Sequence, residues 1–95
     1  MAAYIIGNIE ITSPEPYASY VKDVGASVAQ YGGRFIVRGG RAEKLEGPLE
    51  PKRVVVIEFP TVERAKAWWD SEEYRELKAL RQRASAGSLF VVEGA

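Results

Sequence analysis

The segment Arg53-Val54-Val55-Val56-Ile57-Glu58-Phe59 is apolar on both of its alternating faces. In an extended chain Val55, Ile57 and Phe59 point one way, and Val54 and Val56 point the other. Such a strand needs cover on two sides. The doubling recurs elsewhere. Leu89 and Val91 oppose Phe90 and Val92, and Ile5, Ile9 and Ile11 oppose Tyr4 and Ile6. A chain with this pattern must supply helices to one side of a sheet and find a second cover for the other.

The helices are legible from spacing. Ser13 precedes Pro14 as an N-cap would precede a first helical proline. Tyr17, Tyr20, Val21, Val24, Val28 and Tyr31 then follow at intervals of three and four, up to the stop at Gly32-Gly33. Thr61 caps a second helix through Ala65, Trp68 and Trp69. Asp70-Ser71 interrupts it, and Ser71 caps a renewed turn with Glu72 and Glu73 at its positive end. Tyr74, Leu77, Leu80, Arg81 and Ala84 continue the spacing, and Gly87 ends it. Strands are expected over Tyr4 to Ile11, Arg34 to Arg38, Arg53 to Phe59 and Ser88 to Glu93. Between the second and third lies a long loop, Arg41 to Lys52.

The order β-α-β-β-α-β predicts an α+β, ferredoxin-like fold over residues 1–95, with a four-stranded antiparallel sheet. Right-handed crossovers put both helices on one face. The other face is then open and apolar, and its simplest cover is the same face of a second copy. A homodimer through the open sheet faces is therefore expected.

Composition narrows the chemistry. There are 95 residues, 13 basic and 13 acidic, with no cysteine and no histidine. That leaves no thiolate zinc site, no cysteine nucleophile, no histidine triad and no histidine for haem. Zero net charge argues against nucleic acid, which selects for basic excess. No stretch approaches a membrane span, and the N-terminus lacks the basic and long apolar regions of a signal peptide, so a cytoplasmic location is expected. No metal and no cofactor is expected. Glu43, Glu46 and Glu50 in the long loop read as a solvated run, and Arg38-Gly39-Gly40 reads as a turn, since no helix follows it. The third strand also lacks the aromatic pattern of sheet-faced RNA-binding domains.

Polar groups set among apolar strands are the candidates for function. Arg38 ends the second strand and Glu58 sits near the end of the third, so the two can meet across an antiparallel pair. They are either an ion pair at a sheet edge or the core of a cleft. In the cleft reading Arg38 holds a carboxylate or carbonyl oxygen and Glu58 acts as base. Asn8 interrupts the first strand, and Tyr4 adds a phenol beside it. Asn8, Tyr74 and Arg81 would orient a ligand, and Trp69 would wall the site. Adjacent Trp68 and Trp69 cannot share one helix face, so one is core and the other faces a cleft, a partner or solvent.

The chain resembles the family called domain of unknown function 1330. The resemblance rests on Tyr17 and Tyr20, Tyr31-Gly32-Gly33, Arg38-Gly39-Gly40 and Glu58-Phe59-Pro60. It continues through Ala65, Trp69, Ser71, Glu73-Tyr74, Arg81, Ala84 and Glu93-Gly94. Glu72 stands where proline is frequent, and Val24-Gly25 where an Ala-Pro pair is common. The resemblance implies a branch of the dimeric α/β-barrel group, in which two ferredoxin-like subunits pack sheet to sheet. It implies no activity. Related barrels include monooxygenases, isomerases and haem enzymes, and the missing histidine sets the haem members aside. Two functions remain open. One is a small-molecule enzyme or binding protein, with cofactor-free proton transfer or oxygenation of a polar-headed organic molecule. The other is a non-catalytic structural or interaction dimer.

Overall fold

The computed structural model describes residues 1–95. The chain runs β1 (Ala3–Ile11), α1 (Pro14–Gln30), β2 (Arg34–Arg38), β3 (Arg53–Phe59), α2 (Val62–Trp69), α3 (Glu72–Ala84) and β4 (Ser85–Glu93). The four strands form one antiparallel sheet in the order β2-β3-β1-β4, the ferredoxin-like arrangement. No helix is long and apolar enough to cross a membrane.

The alternation sets resolve cleanly in β1 and β3. Ala3, Ile5, Gly7 and Ile9 are buried toward the helices with Val55, Ile57 and Phe59. From α1 the stripe Tyr17, Tyr20, Val24, Ser27 and Val28 comes down onto them, and Trp68 and Tyr74 complete the core. Trp68 is fully buried and Trp69 is not, as their adjacency requires.

The helix breaks have local causes. Ser71 Oγ accepts from the Tyr74 N–H at 3.1 Å and donates to the Trp68 carbonyl at 2.7 Å, so it ends α2 and starts α3. Thr61 caps α2 through the Arg64 N–H. Ser13 occupies the N-cap position of α1, but its side chain makes no capping bond. Pro14 and Pro16 take the first and third helical positions, so the third-position N–H that an N-cap oxygen commonly binds does not exist.

Two features depart from expectation. β4 starts at Ser85, directly after α3, and Gly87 lies inside it instead of ending the helix. Gly87 pairs with Ile9 at φ +143°, and a Cβ there would stand 2.1 Å from the Asn8 carbonyl oxygen. The second departure is in β2. Arg34 pairs with Glu58 and Phe35 with Ile57, but Val37 pairs with Val56 and Arg38 with Val55. Ile36 is therefore an extra residue, a β-bulge. A bulge reverses the facing of the residues beyond it. Val37 moves to the open face and Arg38 to the helix face, opposite to strict alternation.

The open face carries an in-register apolar row, Val37, Val56, Ile6 and Phe90, crossing all four strands. Phe90 is 57% exposed. Beside it runs a second row, Arg34, Glu58, Tyr4 and Val92.

Two stability outcomes are expected. Gly87→Ala meets backbone on the neighbouring strand and keeps an unfavourable φ, so it should cost about 2 kcal/mol or more. Urea unfolding should show a lower midpoint at unchanged slope, and an unchanged midpoint would mean that the β1–β4 approach is loose. The second concerns Tyr20, whose hydroxyl lies 2.9 Å from that of Tyr74 in the core. Burial pushes the Tyr20 phenol far above its ordinary value of 10.0, with Tyr74 adding to the rise and Arg81 opposing it. A folded-state pKa above the unfolded one gives stability that is complete below about pH 10 and is lost as pH climbs past it. Melts taken between about pH 8 and 11 should show a steep alkaline fall in the parent and a shallower one in Tyr20→Phe.

Candidate functional site

Six candidate residues divide among three places. Glu58 stays on the open face. Its Oε1 accepts from Arg34 Nε at 2.8 Å, and its Oε2 accepts from the Tyr4 hydroxyl at 3.4 Å. The register decides this, since Arg34 is the direct cross-strand neighbour of Glu58. Arg38 lies on the other side of the sheet because of the Ile36 bulge. Its Nη2 donates to the Val21 carbonyl at 2.8 Å, and its guanidinium sits 4.2 Å above the Phe35 ring. The expected Arg38–Glu58 pair therefore does not form, and the two do not converge on one cleft.

Asn8 is a clamp. Its Nδ2 donates to the Glu50 carbonyl at 3.1 Å, and its Oδ1 accepts from the Lys52 N–H at 2.7 Å. Both ends of the amide hold the closing leg of the long loop, on the face away from the helices. An isolated polar residue in an apolar strand signals a partner, but not whether that partner is a ligand or backbone.

Trp69, Tyr74 and Arg81 do come together, between α2–α3 and the edge strand β4. Trp69 and Leu89 separate two adjoining grooves. One, of about 310 Å³, is lined by Ile5, Ala65, Leu89, Phe90 and Val91 with Lys66 at its rim. The other, of about 320 Å³, is lined by Arg81, Gln82, Ser85, Ala86 and Gly87. Neither lining contains a carboxylate. Trp69 is flanked by cations. Lys78 Nζ lies 4.4 Å from its ring centroid and the Arg81 guanidinium carbon 5.8 Å.

Arg81 is the least expected element here. It is buried at 8% exposure, Nε donates to the Tyr74 hydroxyl at 3.2 Å, and it forms no ion pair. A buried guanidinium without an anion is costly to hold. Its place in the last turn of α3 offsets part of that cost through the helix dipole. Tyr74 stands behind it, fully buried and stacked on Trp68 at 3.9 Å. Tyr74 thus positions Arg81 and does not itself face the groove.

Sequence reasoning passes over Leu89, Lys78 and Arg53. The first two are ordinary residues at ordinary helical or strand spacing. Arg53 opens the most apolar strand of the chain, and that contrast is the one available signal.

Among curated proteins no match is found. Solved structures give matches over nearly the whole chain. A protein of unknown function from Rhodopseudomonas palustris is 22% identical, with 99% of this chain and 82% of that one covered and a TM-score of 0.78. SnoaB, a cofactor-independent oxygenase from Streptomyces nogalater, is 8% identical, with 99% and 93% covered and a TM-score of 0.63. A conserved protein from Methanosarcina mazei is 10% identical, with 100% and 94% covered and a TM-score of 0.58. At these identities the likeness is one of fold, the ferredoxin-like α+β unit. The model of the family described as Domain of unknown function (DUF1330) matches residues 2–95, and the chain belongs to that family.

Proposed function

We propose that this chain is a cytosolic homodimer that binds a flat, largely apolar organic molecule carrying an oxyanion or carbonyl oxygen, without metal or haem. The observation that carries the reading is Arg81, buried beside Trp69 with no anion of its own. An incoming carboxylate or enolate would supply the missing charge through the fork geometry that guanidinium favours. Trp69 and Leu89 would hold the apolar body. The combined grooves fall in the size range of small-molecule sites.

The chemistry is constrained by what lines the grooves. No carboxylate is there to take a proton from carbon, and the Tyr20 phenol keeps its proton at neutral pH. The site therefore suits a compound acidic enough to arrive as its anion. Cofactor-independent oxygenation, the activity for which SnoaB is named, is the reaction class we assign as the working candidate, with dioxygen as the co-substrate that takes the electrons of the bound enolate. Arg81 would stabilise the enolate, and the apolar grooves would keep water from it.

The dimer reading rests on the open face. The molecule is a slab of 34 × 31 × 17 Å, so the uncovered sheet is one of its two broad surfaces. Its central row is apolar across four strands. A standard interface needs about 800 Å² from each partner, which a face of this size supplies.

Two experiments test these statements. In a thermal-shift assay, naphthalene-2-carboxylate at about a hundred times its Kd should stabilise by about 2.7 kcal/mol. For a domain of this length that is a Tm rise of roughly 10 °C or more. Arg81→Met should abolish the shift and Trp69→Ala should weaken it. A panel of aromatic acids that leaves Tm unmoved would sink the site. For assembly, sedimentation equilibrium at micromolar concentration should return a dimer. Val56→Asp on the open face should return a folded monomer, whereas Ile57→Asp, facing the core, should not fold. A monomeric parent would end the dimer reading.

A further inference from the structure

The longest stretch without helix or strand joins β2 to β3, over residues 39–52. Connections of this length are uncommon in a small domain. This one is tied down. Asn8 holds its closing leg, at the Glu50 carbonyl and the Lys52 N–H. The Glu50 carboxylate pairs with Lys44, which closes the loop on itself. Pro48 and Pro51 restrict it further, and Gly47 makes a bend at φ +95°.

Just inside the two ion-paired residues stand Leu45 and Leu49, 96% and 63% exposed. Leu45 is the most exposed large apolar side chain in the chain. A lone exposed leucine is ordinary. Two that flank one bend of a tied loop are not, because the entropy lost in ordering that loop is offset by no burial of its tip within the chain.

The loop is anchored on the open face of the sheet. Asn8 lies two residues beyond Ile6 on β1, so both point to the same side. The row through Val37, Val56, Ile6 and Phe90 is therefore the next one on that face. Nine large apolar residues are exposed in the chain, and five of them, Val37, Phe90, Val92, Leu45 and Leu49, belong to this face or to the loop tied to it. An occupant of the face meets the loop as well. The charge on the loop selects no charged partner, since Arg41, Lys44 and Lys52 balance Glu43, Glu46 and Glu50. What suits a neutral, apolar-tipped arm beside an apolar sheet is a second copy of the same surface.

We infer that residues 41–52 form an arm that grips the second copy across the open face, with Leu45 and Leu49 buried against the partner. This rests on the reading of the open face as a dimer interface and adds what fixes the partner's position. Two sheet faces with apolar rows tolerate sliding and rotation, whereas a projecting arm does not. In a two-fold dimer the contact occurs twice, so both arms leave water together. The amide of Asn8, set in an otherwise apolar strand, is then the residue that holds the arm in place.

The chain has no cysteine, so a thiol introduced by Leu45→Cys reports on that position alone. Well above the dimer Kd, iodoacetamide should modify it at least about tenfold more slowly than in the same variant carrying Val56→Asp, because the partner limits access to the thiol. Should Val56→Asp not fold, dilution below the dimer Kd supplies the same comparison. Sedimentation equilibrium gives a second readout. Leu45→Ser with Leu49→Ser should raise the dimer Kd by about a hundredfold or more, since two apolar side chains per arm are lost from the interface. The same pair should leave the Tm of the Val56→Asp monomer within about 1 °C, as expected for side chains exposed in their own chain. A larger fall there would make the leucines structural within the monomer and overturn the inference. A dimer that keeps its Kd without the leucines, or whose thiol reacts at the monomer's rate, overturns the arm and leaves the sheet-face dimer standing. A monomeric parent removes the dimer reading, and the arm with it.

Discussion

The stacked rings of Trp68 and Tyr74, 3.9 Å apart, hold the candidate site in place. They come from different helices, separated only by Asp70 and Ser71. Ser71 ends one helix and starts the next, which turns the chain enough to bring Tyr74 back over Trp68. The indole N–H of Trp68 donates to Ser27 at 3.0 Å, which ties the stack to α1. The Tyr74 hydroxyl meets Tyr20 on one side and Arg81 on the other. Once Trp68 is driven inward, Trp69 must point outward, and Arg81 is carried up beside it. The groove is therefore a consequence of core packing, not a separate construction on the surface.

Much of this is legible in the sequence because the relevant signals are local. The stripe from Tyr17 to Val28, the break at Asp70-Ser71 and the Thr61 cap each depend on a few neighbouring residues. The division of labour between Trp68 and Trp69 comes from helix geometry alone. Trp69, Tyr74 and Arg81 also stand out as a group, although their order from the surface inward does not. Tyr74 is a support for Arg81 and not a ligand contact, a distinction that spacing does not carry.

The register is not legible. Arg38 and Glu58 look like cross-strand partners when β2 is given strict alternation. The extra residue, Ile36, breaks that alternation, and no glycine or proline marks it. Glu58 then takes Arg34, the neighbour that register provides, and Arg38 turns to the opposite face. Asn8 misleads for a related reason. Its partners, Glu50 and Lys52, lie more than forty residues away and are backbone groups, which leave no trace in residue type. The start of β4 at Ser85 has the same origin, since its first residues are held as strand by the β1 ladder and not by their own propensity.

Net charge is the quantity that conceals most about this chain. Thirteen positive and thirteen negative residues cancel, and the sum predicts no charged partner. The spatial arrangement is far from uniform. Glu58, Glu72, Glu43 and Glu50 are matched with Arg34, Arg75, Arg41 and Lys44 at the surface. That pairing leaves nine basic residues unmatched, and three of them, Arg38, Arg53 and Arg81, line one small space between the sheet and the helices. Surface pairs cost little to make or break, whereas a buried guanidinium without an anion, which here is Arg81, is held against a desolvation penalty. A fold with only two layers has little stability to spare for such groups. Arg38 rests on the Val21 carbonyl and the Phe35 ring, Arg53 on the Tyr17 ring and Arg81 on the Tyr74 hydroxyl, so neutral groups and not carboxylates hold all three.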